Sequence, residues 1–443
     1  MLMRRAAILL AIATVACAPE TVSPAPTPAA ATATFAPLPP VTTPAPIACA
    51  SVAALHTSAA TPGPSPTAGS MPSPAPPGTY LFARDSTTLQ LYSGGQLREL
   101  KLPKPISLSH AVLSSDGTRV SALLNEAEPN RSTLWSFTAG ATSMDLPFSA
   151  GAAWVTWSPD ARRLGVVPNP ELAEEIYLVG TDEKASLFAP GAHVVDMRWR
   201  NADEFSFLAA ASRDHPVADA TLWSWRPGTP PHRLTKFDSV GVMAWRPDGA
   251  MLAYSTVAAD GLPVVRVREA RADVVLGDRT VLTAGDLLKA KETCGWVEKD
   301  VQITFVEWQT GGLLAVGLRA AGQYDYGIAV VDPNVGLQGV VRSPHNCYIP
   351  AARWAARTSV LVAFLYGPEC GLTGSLNRAL LVDKAGAVTG ELTIGRKGPL
   401  LLSDLATWAA IPGADELTVV RLNGPHEEYV VPLHGLIGWC CGD

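Results

Sequence analysis

One short stretch constrains this chain more than anything else in it: Ala244-Trp245-Arg246-Pro247-Asp248-Gly249, followed by Ala250-Met251-Leu252-Ala253-Tyr254-Ser255. It reads as a strand ending in Trp, a tight turn, and a second apolar strand. Pro presets φ for the turn, Asp can bond the backbone just ahead, and Gly accepts the positive φ that closes it. The same unit returns along most of the chain. Residues 112–123 carry it with Ser114-Ser115-Asp116-Gly117, residues 154–167 with Trp157-Ser158-Pro159-Asp160, and residues 197–208 with Trp199 and Asn201-Ala202-Asp203. Residues 305–318 repeat it with Trp308, residues 352–365 with Trp354, and residues 405–420 with Trp408.

The downstream half of the unit repeats as well. Thr133-Leu134-Trp135-Ser136-Phe137, Ile176-Tyr177-Leu178-Val179-Gly180 and Thr221-Leu222-Trp223-Ser224-Trp225 each run into a polar turn, as do Ile328-Ala329-Val330-Val331-Asp332 and Leu380-Leu381-Val382-Asp383. Apolar residues alternate with period two, which argues for strands over helices. Strands throughout, at a repeat of about 40–45 residues, are the sequence signature of propeller blades. An ordinary antiparallel domain with Trp in its core does not explain recurrences in one phase.

The Trp-Ser-Pro-Asp turn with Leu-Ala-Tyr-Ser beyond it resembles the WD40-like repeat of TolB-type β-propellers, clearest around Trp157 and Trp245. The pattern is worn at Gln309-Thr310-Gly311-Gly312, Ala355-Ala356-Arg357 and Ile411-Pro412-Gly413. The resemblance implies a propeller, often with protein partners in the cell envelope, and no single shared activity. Residues 79–85, 88–93 and 96–102 look like the second to fourth strands of a blade lacking its first. Gly435-Leu436-Ile437-Gly438-Trp439 looks like the missing strand. Pairing the termini in one blade closes the ring and gives eight blades; if the C-terminal strand instead finishes the Trp408 blade, the total is seven. Eight four-stranded blades is the preferred count. Residues 284–300 read as an insertion, helical across 286–292.

Ahead of the propeller lie two further segments. Residues 1–16 have the form of an export signal: Arg4-Arg5, an apolar run over residues 6–15, and Ala16 before Cys17. The order resembles a bacterial lipoprotein signal, with Thr14 where Leu is commonest, and implies lipidation of Cys17. The apolar run is too short for a bilayer span, which needs about 20 residues. Residues 17–78 then turn to Pro, Ala, Thr and Ser with almost no charge, a composition that cannot bury enough apolar surface to fold. They are expected to form a disordered spacer, reaching about 190 Å if extended as polyproline. Cys49, in the run 48–55, has no explanation at this level beyond a transient helix. Residues 79–443 are assigned to the propeller.

Charged residues make up 17% of the chain and the net charge is −6. A nucleic-acid binder would carry a basic stripe, so nucleic acid is excluded as a partner. No Gly-x-Ser-x-Gly elbow, His-Glu-x-x-His, phosphate-binding Gly loop or Cys-x-x-Cys occurs, and the eight His are scattered singly. No catalytic residue, metal site or cofactor is nominated. An exported chain can form disulfides, and strand order places Cys294, Cys347 and Cys370 on one loop face. Cys347 can pair with either of the other two, while the vicinal Cys440-Cys441 can pair with Cys49 or stay free.

That loop face also gathers acidic and aromatic residues, among them Glu171, Glu174, Glu175, Asp214, Asp219, Trp296, Tyr324, Tyr326 and Tyr348. Such a rim suits a basic protein patch, a cation or a sugar. The expectation is a monomeric, lipid-anchored propeller on the outer face of a bacterial membrane, binding or scaffolding an envelope protein. The alternative is an enzyme or small-ligand sensor with its site in the central channel, where Asp196, Glu307 and Asp404 would be the carboxylates; the preferred reading of those three is as blade contacts or solvent-exposed positions.

Overall fold

The computed structural model describes residues 48–51, 71–126, 131–148, 154–168, 175–180, 186–212, 217–271, 274–287, 301–320, 326–343, 347–355, 359–366, 377–394, 401–403, 407–413, 415–422 and 427–440. They form eight antiparallel four-stranded sheets, one of which gains a fifth strand. The sheets are the blades of an eight-bladed β-propeller. First strands touch between blades 1 and 2, 3 and 4, 5 and 6, and 6 and 7. In chain order the first strands of blades 2 to 8 are Ile106–Leu113, Trp154–Trp157, His193–Asn201, Met243–Trp245, Val301–Trp308, Tyr348–Trp354 and Leu401–Leu402.

Blade 1 is built from both ends of the propeller. Leu436–Cys440 is its inner strand and pairs antiparallel with Thr79–Asp85, placing Thr79 opposite Cys440, Tyr80 opposite Trp439 and Leu81 opposite Gly438. The Tyr80 and Trp439 rings stack at 5.5 Å and 8°, and the Ala83 amide donates to the Gly435 carbonyl at 2.8 Å. Gly435 has φ +72°, and a Cβ there would sit 2.4 Å from the Ala83 carbonyl oxygen. Only glycine fits that approach.

The core lies between blades rather than within them, because period-two alternation gives every sheet two apolar faces. Val281, Leu282, Val306, Trp308, Leu314 and Val340 fill the contact of blades 5 and 6. Ala315, Ile328, Val341, Ile349, Trp354 and Leu361 fill the next.

Two devices repeat with the blades. The first is a clasp at the turn after the inner strand. Ser158 Oγ donates to Asp160 at 2.6 Å and accepts from the Arg163 amide at 2.9 Å, while the Ser158 amide donates to the Arg163 carbonyl at 2.9 Å. Ser114, Asp116 and Arg119 repeat these bonds in blade 2. In blade 8 the clasp is made by Ser403, whose Oγ accepts from the Trp408 amide at 3.1 Å. That corrects the phase read from the sequence. Trp408 opens the second strand, Trp408–Pro412, and the inner strand is Leu401–Leu402. Ser403 thus stands where Ser158 does, and Leu402 occupies the place of the repeat Trp.

The second device is a latch between neighbouring blades. The Trp199 indole N–H donates to the carbonyl of Thr156, that of Trp308 to Ala244, and that of Trp354 to Glu307, at 3.0, 3.0 and 3.3 Å. Each acceptor is the residue just before the Trp of the preceding blade. The Trp245 indole N–H is buried without a partner, and the Arg200 guanidinium lies over its ring at 5.0 Å.

Two expectations about non-propeller segments also meet the structure. Residues 284–287 are helical, opened by Thr283, whose Oγ accepts from the Asp286 amide at 3.1 Å; the remainder of the expected helix lies outside the described residues. Ala48–Ser51, where a transient helix was expected, is a strand.

The latch predicts a contrast. Trp308→Phe should cost about 1–2 kcal/mol more stability than Trp245→Phe, since only the first strips a buried carbonyl of its donor; paired urea unfolding curves measure it. The clasp predicts a pH effect. Hydrogen bonds from Ser114 and then the Thr118 amide hold the Asp116 carboxyl down at about 2, below its ordinary 3.8. Its contribution is therefore present above pH 3.8 and lost as pH falls through about 2. Acidification should cost the unaltered protein more stability than Asp116→Asn, read by thermal melts down to about pH 2.

Candidate functional site at the channel

The residue before each repeat Trp lies on the inner strand at one level of the ring. Its carbonyl accepts the latch in blades 3, 5 and 6, and its side chain sets what the channel presents. These positions hold Thr156, Arg198, Ala244, Glu307 and Arg353 in blades 3 to 7. Blade 5 thus adds no polar group here: Ala244 is buried in the core between blades 5 and 6. Arg198 Nε lies 3.4 Å from Asp196 Oδ2, and Arg353 lies 3.9 Å from Glu307. The Glu307 side chain is 27% exposed. Burial pushes its carboxyl above the usual range, and the guanidinium groups of Arg353 and then Arg198 pull it part of the way back. Two loose ion pairs from three inner strands therefore share one electrostatic environment.

Blade 5 is also where the wall is cut back. Its inner strand begins only at Met243, and the segment before it is tied down by Ser255. The Gly241 amide donates to the Ser255 carbonyl at 2.9 Å, the Val242 amide to Ser255 Oγ at 2.8 Å, and the Ser255 amide to the Val242 carbonyl at 2.8 Å. A Cβ at residue 241 would meet Ser255 Oγ at 2.4 Å, so glycine is what lets the segment lie this close. A cavity opens on each side of it. One of about 170 Å³ has an apolar floor of Leu208, Val240 and Met243 and a polar wall of Asp196 and Arg198. The other, about 510 Å³, is lined by Ser255, Thr256, Pro263, Val301, Gln302 and Ile303. The larger falls within the roughly 300–1,000 Å³ typical of small-molecule sites. Gly241 and Val242 line both.

A separate cleft of about 510 Å³ lies between blades 5 and 6 and includes Arg246, Asp278 and Arg279. Its charges are already used: Arg246 binds Asp248 at 2.6 Å, Asp278 binds Arg268 at 3.0 Å, and Arg279 binds Asn334 at 3.0 Å.

The acidic and aromatic rim expected from the sequence is placed only in part. Glu171, Glu174, Asp214, Trp296 and Tyr324 lie outside the described residues. Glu175 accepts from the Tyr177 hydroxyl at 3.3 Å. Asp219 sits at a positive φ of 52° in an exposed pair with Lys236 at 2.7 Å, and the hydrogen bond from Lys236 lowers its carboxyl. Tyr326 is buried at 9% exposure, edge to face with Tyr348 at 5.1 Å. The pair belongs to the contact between blades 6 and 7, not to an open rim. Cys347 is fully buried and Cys440 half-buried, and both are disulfide-bonded; Cys294, Cys370 and Cys441 lie outside the described residues, as do Cys17 and Asp404.

Of the channel carboxylates, Asp196 and Glu307 are placed at the site. Arg198 and Arg353 escaped the sequence reading, although the position before the repeat Trp marks both. No group of three or more His, Cys, Asp or Glu among the described residues is arranged to hold a metal ion.

No protein-family model matches the chain, and no curated protein matches it in sequence. Solved structures do match. A dihydro-heme d1 dehydrogenase, NirN, in complex with DHE superposes with a TM-score of 0.52 at 14% identity, over 82% of this chain and 75% of that one. Apo AztD from Citrobacter koseri gives 0.50 at 8% identity, over 81% and 95%. The likeness is one of fold.

Glu307 supplies the test of the channel electrostatics. A carboxyl raised by burial contributes stability at low pH that is lost as pH rises through its folded value. Glu307→Gln should therefore gain stability relative to the unaltered protein as pH rises past its ordinary 4.5, in paired melts across that range. Arg353→Ala should raise the Glu307 carboxyl further, read by carboxyl NMR titration.

Proposed function

We propose that this protein is an exported, lipid-anchored propeller of TolB-like type that acts as a binding module in a bacterial cell envelope, holding a protein partner on its loop face. The observation that carries the export reading is chemical: both Cys347 and Cys440 are disulfide-bonded, and such bonds persist in oxidising compartments. The leader ending in Ala16-Cys17 supplies the anchor, and the Pro-rich residues 18–78 supply the spacer. Binding is favoured over catalysis because a closed ring offers a rigid platform whose loops can vary. Among the described residues, moreover, those named at the channel are paired charges.

A second reading is favoured by the channel itself. Asp196 and Arg198 line the 170 Å³ cavity, and Glu307 and Arg353 add a second pair of opposite charges on the inner strands. A small zwitterion, carrying a carboxylate and an ammonium, is complementary to such a set. In that reading the propeller senses a metabolite.

Cross-linking pull-down from envelope extract, with residues 71–443 as bait and an Arg198→Ala, Arg353→Ala double variant alongside, separates the two. A dominant partner captured equally by both forms supports the scaffold. No partner, with thermal stabilisation of only the unaltered form by a zwitterionic metabolite, supports the sensor. Palmitate labelling lost in Cys17→Ser tests the anchor.

A further inference from the structure

The fifth strand of blade 6 comes from the Pro-rich segment. Ala48–Ser51 runs parallel to Gly336–Arg342, the outer strand of that blade, with Ala48 opposite Gly339, Cys49 opposite Val340, Ala50 opposite Val341 and Ser51 opposite Arg342. Neither partner in this pairing is arbitrary. Proline has no N–H to give to a ladder, so a strand can form in the tether only where proline is absent. Between residues 18 and 78 the longest stretch without proline is 47–61, bounded by Pro46 and Pro62. The paired residues lie inside it.

The other partner is equally particular. Outer strands expose unpaired N–H and C=O groups, and proteins guard them with charge or by keeping them short. The outer strands of blades 1, 2, 4, 5, 7 and 8 carry Glu99, Asp145, Lys236, Asp278, Glu391 and Glu428 respectively, and that of blade 3, Ser186–Phe188, has three residues. Gly336–Arg342 has seven residues and no charge before Arg342. It is the unguarded edge of the eight, and among the described residues it is the one that gains a further strand.

We propose that the outer edge of blade 6 is a strand-addition site whose resident occupant is residues 48–51 of the same chain. Main-chain hydrogen bonds carry this mode of recognition, so the small residues Ala48, Cys49, Ala50 and Ser51 suffice. Docking shields the edge from another chain. It also divides the spacer. The free length from Cys17 to the first docked residue falls to 31 residues, or about 100 Å at polyproline rise, against about 190 Å for the whole segment. Blade 6 then becomes the side of the ring tethered closest to the membrane. The consequence for reach rests on the Cys17 anchor proposed above; the docking does not.

Hydrogen exchange on the full chain tests it. Alternate amides of Gly336–Arg342 bond to Tyr326–Asp332, and those between point outward, protected only by a docked strand. The outward amides of residues 339–342 should exchange about 10-fold or more slower in the unaltered chain than in an Ala50→Pro, Ser51→Pro double variant, independent of protein concentration. The prolines lie outside the ring, and amides of Asn377–Val382 in blade 7 should exchange equally in both forms. Equal rates at 339–342 would overturn the proposal. So would protection that grows with concentration, because the strand would then come from a second copy. Absence of palmitate on Cys17, measured separately, would remove the argument about reach and leave the pairing standing.

Discussion

Everything in this molecule depends on pairing the two ends of the propeller inside one blade. Seven of the eight blades take their own four strands from one continuous stretch of sequence, but blade 1 takes its inner strand from Leu436–Cys440 and the rest from residues 79–101. Inter-blade packing is cooperative only in a closed ring: an open one would leave the faces of two blades in water. The apolar clusters on either side of blade 1 show what is at stake. Tyr80, Phe82 and Tyr92 are completely buried with Trp408 and Val431 of blade 8, while Leu81 and Leu89 are buried with Ala122 and Leu124 of blade 2. Adjacent residues on one strand therefore serve opposite neighbours, and a one-residue slip in register would exchange those faces. The stacked Tyr80 and Trp439 rings and the tight approach at Gly435 both favour the observed register.

Closure also explains why the tryptophan latches can do two jobs. An indole reaching to the carbonyl one residue before the previous Trp fixes the angle between successive blades. The same geometry puts the side chain of the accepting residue at a fixed level on the inner strand. Where that residue is not packed into the core, as Ala244 is, its side chain is free to vary. Thr156, Arg198, Ala244, Glu307 and Arg353 differ in size and charge, yet the carbonyls of Thr156, Ala244 and Glu307 all accept an indole. The propeller separates structural from variable chemistry at the level of single residues.

Much of this was legible in the sequence because tight turns are local. The clasp needs Ser, Asp and the chain between them, so residues 114–119 and 158–163 announced their strands unaided. Trp was a less faithful marker, since a large apolar residue suits several positions in a blade. Trp408 kept the look of the repeat but sits five residues past the clasp serine, in the next strand, and Ser403 was the better guide. The missing first strand of blade 1 could be inferred because three strands without an inner partner left an edge to be filled. The channel cations were harder. Arg198 and Arg353 look like ordinary surface charge until the inner strands are set side by side, and their relation to Glu307 spans blades that are far apart in sequence. Tyr326 shows the converse: its place before a strand suggested an open loop, and inter-blade packing buries it.

The edges of the strands complete the logic. In every blade the inner edge faces the channel, where latches consume some of its carbonyls, and the outer edge faces solvent with nothing intrinsic to cover it. A ring of eight blades multiplies that exposure eight times. Charges spaced along the outer strands answer it for most blades, at no cost to the core, because alternation already sends half of each strand's side chains away from one neighbour. Blade 6 cannot use the same answer as freely. Val340 and Val341 are both buried, one toward blade 5 and the other toward blade 7, so consecutive residues on its outer strand are committed to packing. Pairing with Ala48–Ser51 protects the main chain without asking anything of those side chains. The longest proline-free run of a spacer rich in proline supplies that strand, at the edge that side-chain charge left uncovered.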